Sequence, residues 1–167
     1  MFTVTLPSLI KKGWENSKLS TLPNQTPQFK GSLGTKIVNQ LIPDSKIISD
    51  EGDLLIGNDK SEVKTALFNT KTKSFWWNQI RPKQSGWTLL HLVAIYPDSI
   101  TVYEFTRSQA EELFLDTDLS KSGHVGTEEL LEIKCVVNTK RNTLTKLTEY
   151  GDCICHQTLD NVKVENG

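Results

Sequence analysis

Leu33, Ile37, Val38 and Leu41 recur at helical spacing within 32–42, and Pro43 follows directly. That pattern predicts one helix, closed where proline cannot continue it. Short apolar runs come next. "KIIS" (46–49), "DLLIG" (53–57) and "SEVKTALF" (61–68) read as three strands, the last two joined by a tight turn at "GNDK" (57–60). "KSFWWNQIR" (73–81) predicts a second helix stopped by Pro82. "WTLLHLVAIY" (87–96) is the most apolar stretch and predicts a central strand. "PDS" turns it into "ITVYEF" (100–105), an antiparallel partner at the sheet edge. "RSQAEELFLD" (107–116) predicts a further helix, with Ser108 as N-cap and Glu111 three residues on. The Thr- and Val-rich tail from Ile133 predicts one or two strands. The polar segment 13–31, broken by Pro23 and Pro27, predicts a loop or arm. The order α-β-β-β-α-β-β-α implies an α/β fold, a central mixed sheet of about five strands flanked by helices.

Length and composition narrow the class. A chain of 167 residues suits one domain with a real core, here about 30–115, with an arm at 1–31 and a tail at 133–167. The hydrophobic and charged fractions are those of a globular protein and exclude disordered and collagen-like classes. No apolar run reaches the ~18 residues of a membrane span. The N-terminus has no basic stretch before an apolar one, so no secretory signal is expected. Three cysteines (Cys135, Cys153, Cys155) suit a reduced, intracellular, cytoplasmic protein.

The net charge is −1, but its distribution is uneven. Residues 1–46 carry six lysines against Glu15 and Asp44. Residues 59–83 carry Lys60, Lys64, Lys71, Lys73, Arg81 and Lys83 against Asp59 and Glu62. Residues 104–132 carry eight acids against Arg107 and Lys121. Such a split can set a basic face opposite an acidic one, and phosphate contacts follow the local field rather than the total.

The hairpin at 53–67 carries the candidate chemistry. Alternation along a strand turns Glu62 and Lys64 to one face and Val63 into the core, and the turn brings Asp53 near Lys64 across the hairpin. Two carboxylates close together repel unless a cation lies between them. Mg²⁺ suits one or two carboxylates, a main-chain carbonyl and several waters. It would offset charge on a phosphoryl group and acidify a bound water. Lys64 would position that water or neutralise the phosphorus centre. This is the inventory for phosphodiester hydrolysis.

At these residues the chain resembles the PD-(D/E)XK nuclease superfamily, with Asp53 as the first acid and Glu62-Val63-Lys64 as the E-x-K. The resemblance spans about 30–112 and implies a restriction-endonuclease-like fold and a Mg²⁺-dependent DNA endonuclease of restriction or homing type. It also implies that the Val63 carbonyl is a third metal ligand and that Gln79, on a helix, faces the active site or the DNA. Gly52 rather than proline precedes Asp53. The literal "PD" at Pro97 and Asp98 falls in a turn, and the first helix offers Thr35 where many members carry glutamate. Lys71, Lys73, Arg81 and Lys83 flank the hairpin and are the candidate phosphate contacts. Cutting both strands of double-stranded DNA needs two sites, so a homodimer or larger symmetric homo-oligomer is expected.

Other features point elsewhere. "DLSKSGHVGTEE" (118–129) places Asp118, Ser120, Ser122, Gly123, Val125 and Glu129 at positions 1, 3, 5, 6, 8 and 12 of an EF-hand loop, which would make residues 108–132 a Ca²⁺-binding interaction module. Two usual carboxylate positions are serines, and a turn with a few polar residues is the plainer reading. A non-catalytic DNA-binding protein on a nuclease-like core is the third reading. "CICH" (153–156) misses zinc and haem spacings, so its thiols, on one strand face, read as small buried or half-buried groups. His91 reads as a hydrogen-bonded core histidine and His124 as a loop residue. Trp76 and Trp77 are candidates for base stacking, with at least one of them in the core.

Overall fold

The computed structural model describes residues 3–6, 14, 17–49, 53–84, 86–137 and 140–166. Of the arm expected over 1–31, residues 1, 2, 7–13, 15 and 16 lie outside the described residues. Strand β1 (Thr3–Leu6) comes first, and helix α1 (Pro27–Leu41) follows. The helix starts five residues before the expected 32. Thr26 is extended and its side chain accepts from the Phe29 amide at 3.1 Å, while Pro27 takes the first helical position. Proline has no amide to lose there and its φ is already helical, so a residue that reads as a breaker is an initiator.

The expected meander forms: β2 (Lys46–Ser49), β3 (Asp53–Ile56) and β4 (Asp59–Leu67) are antiparallel neighbours. Gly57, with φ of 61°, takes the first central position of the two-residue turn, as a type II′ hairpin requires. The helix expected over 73–81 is instead strand β5 (Ser74–Ile80). Phe75 and Trp77 are buried while Trp76 is exposed, a period of two that suits aromatic side chains on a pleated surface. A bulge between Trp77 and Ile80, with Gln79 at φ 59°, returns Ile80 to the buried face.

Strands β6 (Leu89–Ile95) and β7 (Ser99–Thr106) follow, then α2 (Arg107–Phe114). The N-cap of α2 is Thr106 with Gln109 completing the capping box, not Ser108 with Glu111. Strands β8 (Ser120–Val125) and β9 (Glu128–Val136) form a hairpin. The alternative EF-hand reading of 118–129 does not form: strand pairing of Ser122 with Leu131 and His124 with Glu129 replaces the loop and its following helix. His124 accordingly sits in a strand. The tail adds β10 (Asp152–Thr158) and β11 (Lys163–Asn166).

Six strands, not about five, make the main sheet in the order β10-β7-β6-β4-β3-β2. Its one parallel pair is β4 with β6. Strand β7 is not at the edge, because β10 pairs along it. Strands β5-β9-β8 form a second sheet, and β1 pairs parallel with β11. The fold is α/β, with mixed β-sheets flanked by helices. Leu33, Ile37 and Val38 of α1 pack on Val63, Val93 and Val102 on one face of the main sheet. On the other face Phe75, Trp77 and Ile133 of the second sheet, with Leu113 of α2, pack on Leu90, Leu92 and Phe105. Strand β6 is buried on both faces, which accounts for its unbroken apolar run. Among the described residues no helix is long and apolar enough to cross a membrane.

The approach of α1 to β4 yields a paired test. A Cβ at Gly34 would overlap the Thr65 hydroxyl, whereas one at Gly31 would meet nothing within 4 Å. Gly31→Ala is expected to stabilise by about 0.5–1 kcal/mol through helix propensity. Gly34→Ala is expected to lose about 1–3 kcal/mol from overpacking. Urea unfolding of the two proteins measures the difference, and equal midpoints would rule out this packing.

Candidate active site

Strand register decides which charged groups meet. Asp53 lies directly opposite Glu62, and Lys60, Glu62 and Lys64 share one face of β4 by alternation. The Ile56–Asp59 pair closes the turn as a hydrogen-bonded pair, so counting back makes Asp53–Glu62 a non-hydrogen-bonded pair. In such pairs opposed side chains come closest. The Lys64 ammonium lies 3.5 Å from the Glu62 carboxylate, and Lys60 lies 3.7 Å from Asp53. The cation facing Asp53 is thus Lys60 rather than the expected Lys64. The run "DKSEVK" carried the signal, since its three alternate positions are Lys, Glu and Lys.

Glu62 is mostly buried, and that burial pushes its carboxyl above the ordinary value. Lys64 pulls it down, while the hydrogen bond and charge of Asp53 push it up again. Val63 is buried in the α1 core as expected. Its main chain points the other way from its neighbours': the Thr88 amide donates to the Lys60 carbonyl at 2.8 Å, so Lys60, Glu62 and Lys64 aim their main chains at β6. The Val63 carbonyl therefore aims toward the β3 side, past the Asp53–Glu62 pair.

Two carboxylates and that carbonyl make an all-oxygen donor set suited to a hard divalent ion with water completing its shell. Among the described residues no group of three or more His, Cys, Asp or Glu side chains is placed to hold a metal. The chemistry available is the binding of a Mg²⁺-like ion beside a partly buried ammonium.

Other expected residues fall elsewhere. Gln79 is exposed on the β5 bulge, not on a helix facing the site. Lys71 and Lys73 lie in the turn before β5, and Arg81 and Lys83 follow its far end, roughly 20 Å along a seven-residue strand. Arg81 pairs with Glu128 at 2.7 Å and Lys83 with Glu129 at 3.4 Å. The four basic residues therefore do not form one patch, because the acid-rich segment folds back to neutralise two of them. Trp77 is core and its indole donates to the Val93 carbonyl, while Trp76 is half exposed. Cys153 pairs with Tyr103 and Cys155 with Val102 across a bulge, so the two thiols point to opposite faces instead of sharing one.

Behind the site, on the α1 side of the sheet, Ser61 Oγ lies 2.5 Å from His91 Nδ1, and His91 Nε2 lies 2.8 Å from Glu104. The expected core histidine is fully buried and bridges three strands. The hydrogen bond to His91 holds the Glu104 carboxyl below its ordinary value. Sequence pattern singles out neither Ser61 nor Glu104 as its partner, since that depends on the β4–β6–β7 register.

Comparisons of the chain with protein-family models, curated proteins and solved structures found no match.

The causes acting on Glu62 give signed expectations. Its raised folded value means that native protein binds more protons than unfolded chain, so this group's stability contribution is present below the ordinary carboxylate pKa and lost as pH rises through the raised value. Carboxyl NMR titration of Glu62 should show that Asp53→Asn lowers its pKa and Lys64→Ala raises it. Mg²⁺ should lower it in the parent protein. Opposite shifts in the two variants would contradict the geometry.

Proposed function

We propose that the chain is a Mg²⁺-dependent endodeoxyribonuclease that hydrolyses phosphodiester bonds in double-stranded DNA, of restriction or homing type. The observation that carries the reading is Asp53 opposed to Glu62 with the Lys64 ammonium 3.5 Å from Glu62. A surface hairpin gains nothing from burying a carboxylate beside a second one, and the arrangement becomes favourable once a divalent ion sits between them.

Topology gives further support. After α1 the chain runs through an antiparallel meander, crosses to a strand parallel to its last member, and returns antiparallel in β7. That order agrees with the restriction-endonuclease-like core implied by the resemblance, although β5 and the second sheet stand where its crossover helix was expected. Bound Mg²⁺ would polarise a phosphoryl oxygen and lower the pKa of a bound water. Asp53 and Glu62 would hold the ion, with the Val63 carbonyl as a third oxygen ligand. Lys64, mostly withdrawn from water, orients the attacking water and offsets negative charge gathering on the phosphoryl oxygens, where low local dielectric strengthens its effect. The Glu62 contact keeps that ammonium in place between turnovers. Cleavage of both strands calls for a homodimer.

The test is a gel assay on plasmid, phage and long genomic DNA with Mg²⁺, Ca²⁺ or EDTA. Mg²⁺-dependent fragments are expected, and Lys64→Ala or Glu62→Gln should slow cleavage by about 10²-fold or more. Cleavage surviving both substitutions, or none by the parent protein on any substrate, would refute the assignment.

A further inference from the structure

We propose that Trp76 and Lys134 form a subsite for an unpaired nucleobase in the strand that passes the Glu62–Lys64 site. The inference rests on the nuclease reading for its substrate class but uses none of the same residues. Trp76 is half exposed, whereas Trp14, Trp77 and Trp87 are buried. Leaving an indole in water is costly by area alone, and its flanking residues Phe75 and Trp77 lock the backbone beneath it into the core. The ring is therefore a rigid platform.

Lys134, directly opposite Trp76 on β9, holds its ammonium 5.0 Å from the ring centroid. Beside the ring lies a cavity of about 170 Å³ lined by Leu67, Asn69, Thr72, Ser74, Trp76 and Lys134. Pockets for drug-sized ligands run to about 300–1,000 Å³, so this one suits a single flat ring. Asn69 Oδ1 accepts from the Lys71 and Thr72 amides, which fixes the side chain and makes Nδ2 its remaining donor. Among the described residues no acid lines the cavity, and the turn beside it carries Lys71 and Lys73. Charge thus favours a ligand with phosphates.

Position selects the strand. Strand β3 covers β4 only as far as Glu62, so among the described residues the β3-side edge of 63–67 carries no strand partner. That edge leads from the acidic pair to Leu67 at the cavity, roughly 16 Å over five residues. A base inside a duplex has both faces stacked, so an indole platform reads only a base that is flipped out or single-stranded.

The test uses the full chain in EDTA with labelled 12-mer oligothymidylate and, separately, a blunt duplex, read by anisotropy. The parent should bind the oligothymidylate, Trp76→Ala should weaken it about tenfold or more, and Trp76→Phe should keep most of the affinity. Tryptophan fluorescence should be quenched on binding in the parent and not in Trp76→Phe. Lys134→Ala should reduce the slope of log K against log salt by about 0.7. No oligothymidylate binding, binding indifferent to Trp76→Ala, or an equal loss on duplex would each overturn the subsite. Cleavage assays separate the two ideas. Trp76-dependent binding without any cleavage keeps the subsite and removes the nuclease, whereas cleavage with Trp76-independent binding does the reverse.

Discussion

Strand β4 must serve two cores at once, and the rest of the molecule is arranged around that demand. Its odd positions, Val63 and Thr65, meet α1, which approaches so closely at Gly34 that no side chain fits between. Its even positions face the second sheet, where Ala66 joins the aromatic core and Glu62 and Lys64 stand at the margin of it. A slip of one residue would drive Glu62 and Lys64 into the α1 core and expose Val63. Burial on the α1 side therefore holds the acidic pair and the lysine in place on the other.

The Ser61–His91–Glu104 chain reinforces the same register. Fully buried Ser61 and His91 need partners, and they find them only when β4, β6 and β7 align as they do. An unmade buried hydrogen bond costs on the order of 1–3 kcal/mol, so each step of misalignment carries a penalty beyond lost packing. Ser61 directly precedes Glu62, which ties a structural network on one face to the candidate chemistry on the other.

Charge in this chain is spent mostly on itself. The acid-rich stretch holds Arg81 and Lys83 through β9, and Asp116 and Asp118 hold Lys146. These pairs are exposed for the most part and contribute little stability each. Their consequence is for surface potential, because Arg81 and Lys83 are paired with acids and do not extend the positive charge of Lys71 and Lys73. Arg107 is likewise internal, with its guanidinium 3.7 Å from the Trp87 ring and bonded to the carbonyls of Pro82 and Trp87.

The helix at 32–41, the 53–67 hairpin and the apolar central strand were legible because each rests on local periodicity and turn chemistry. So was the pairing of Asp53, Glu62 and Lys64 on one hairpin, which a two-residue turn and strict alternation nearly determine. The segment 73–81 was not legible, since Trp76 and Trp77 stand at i,i+4 and i,i+3 spacing to Ile80 as on a helix, whereas the buried set Phe75, Trp77 and Ile80 fits a bulged strand. Only the long-range partner β9 decides between them. The helix N-terminus at Thr26 and Pro27 was misread because proline breaks or begins a helix according to position. The partners of His91, the pairing of Arg81 and Lys83 and the exposure of Trp76 belong to tertiary structure alone. Each depends on residues distant in sequence, and local propensity carries no information about which strands become neighbours.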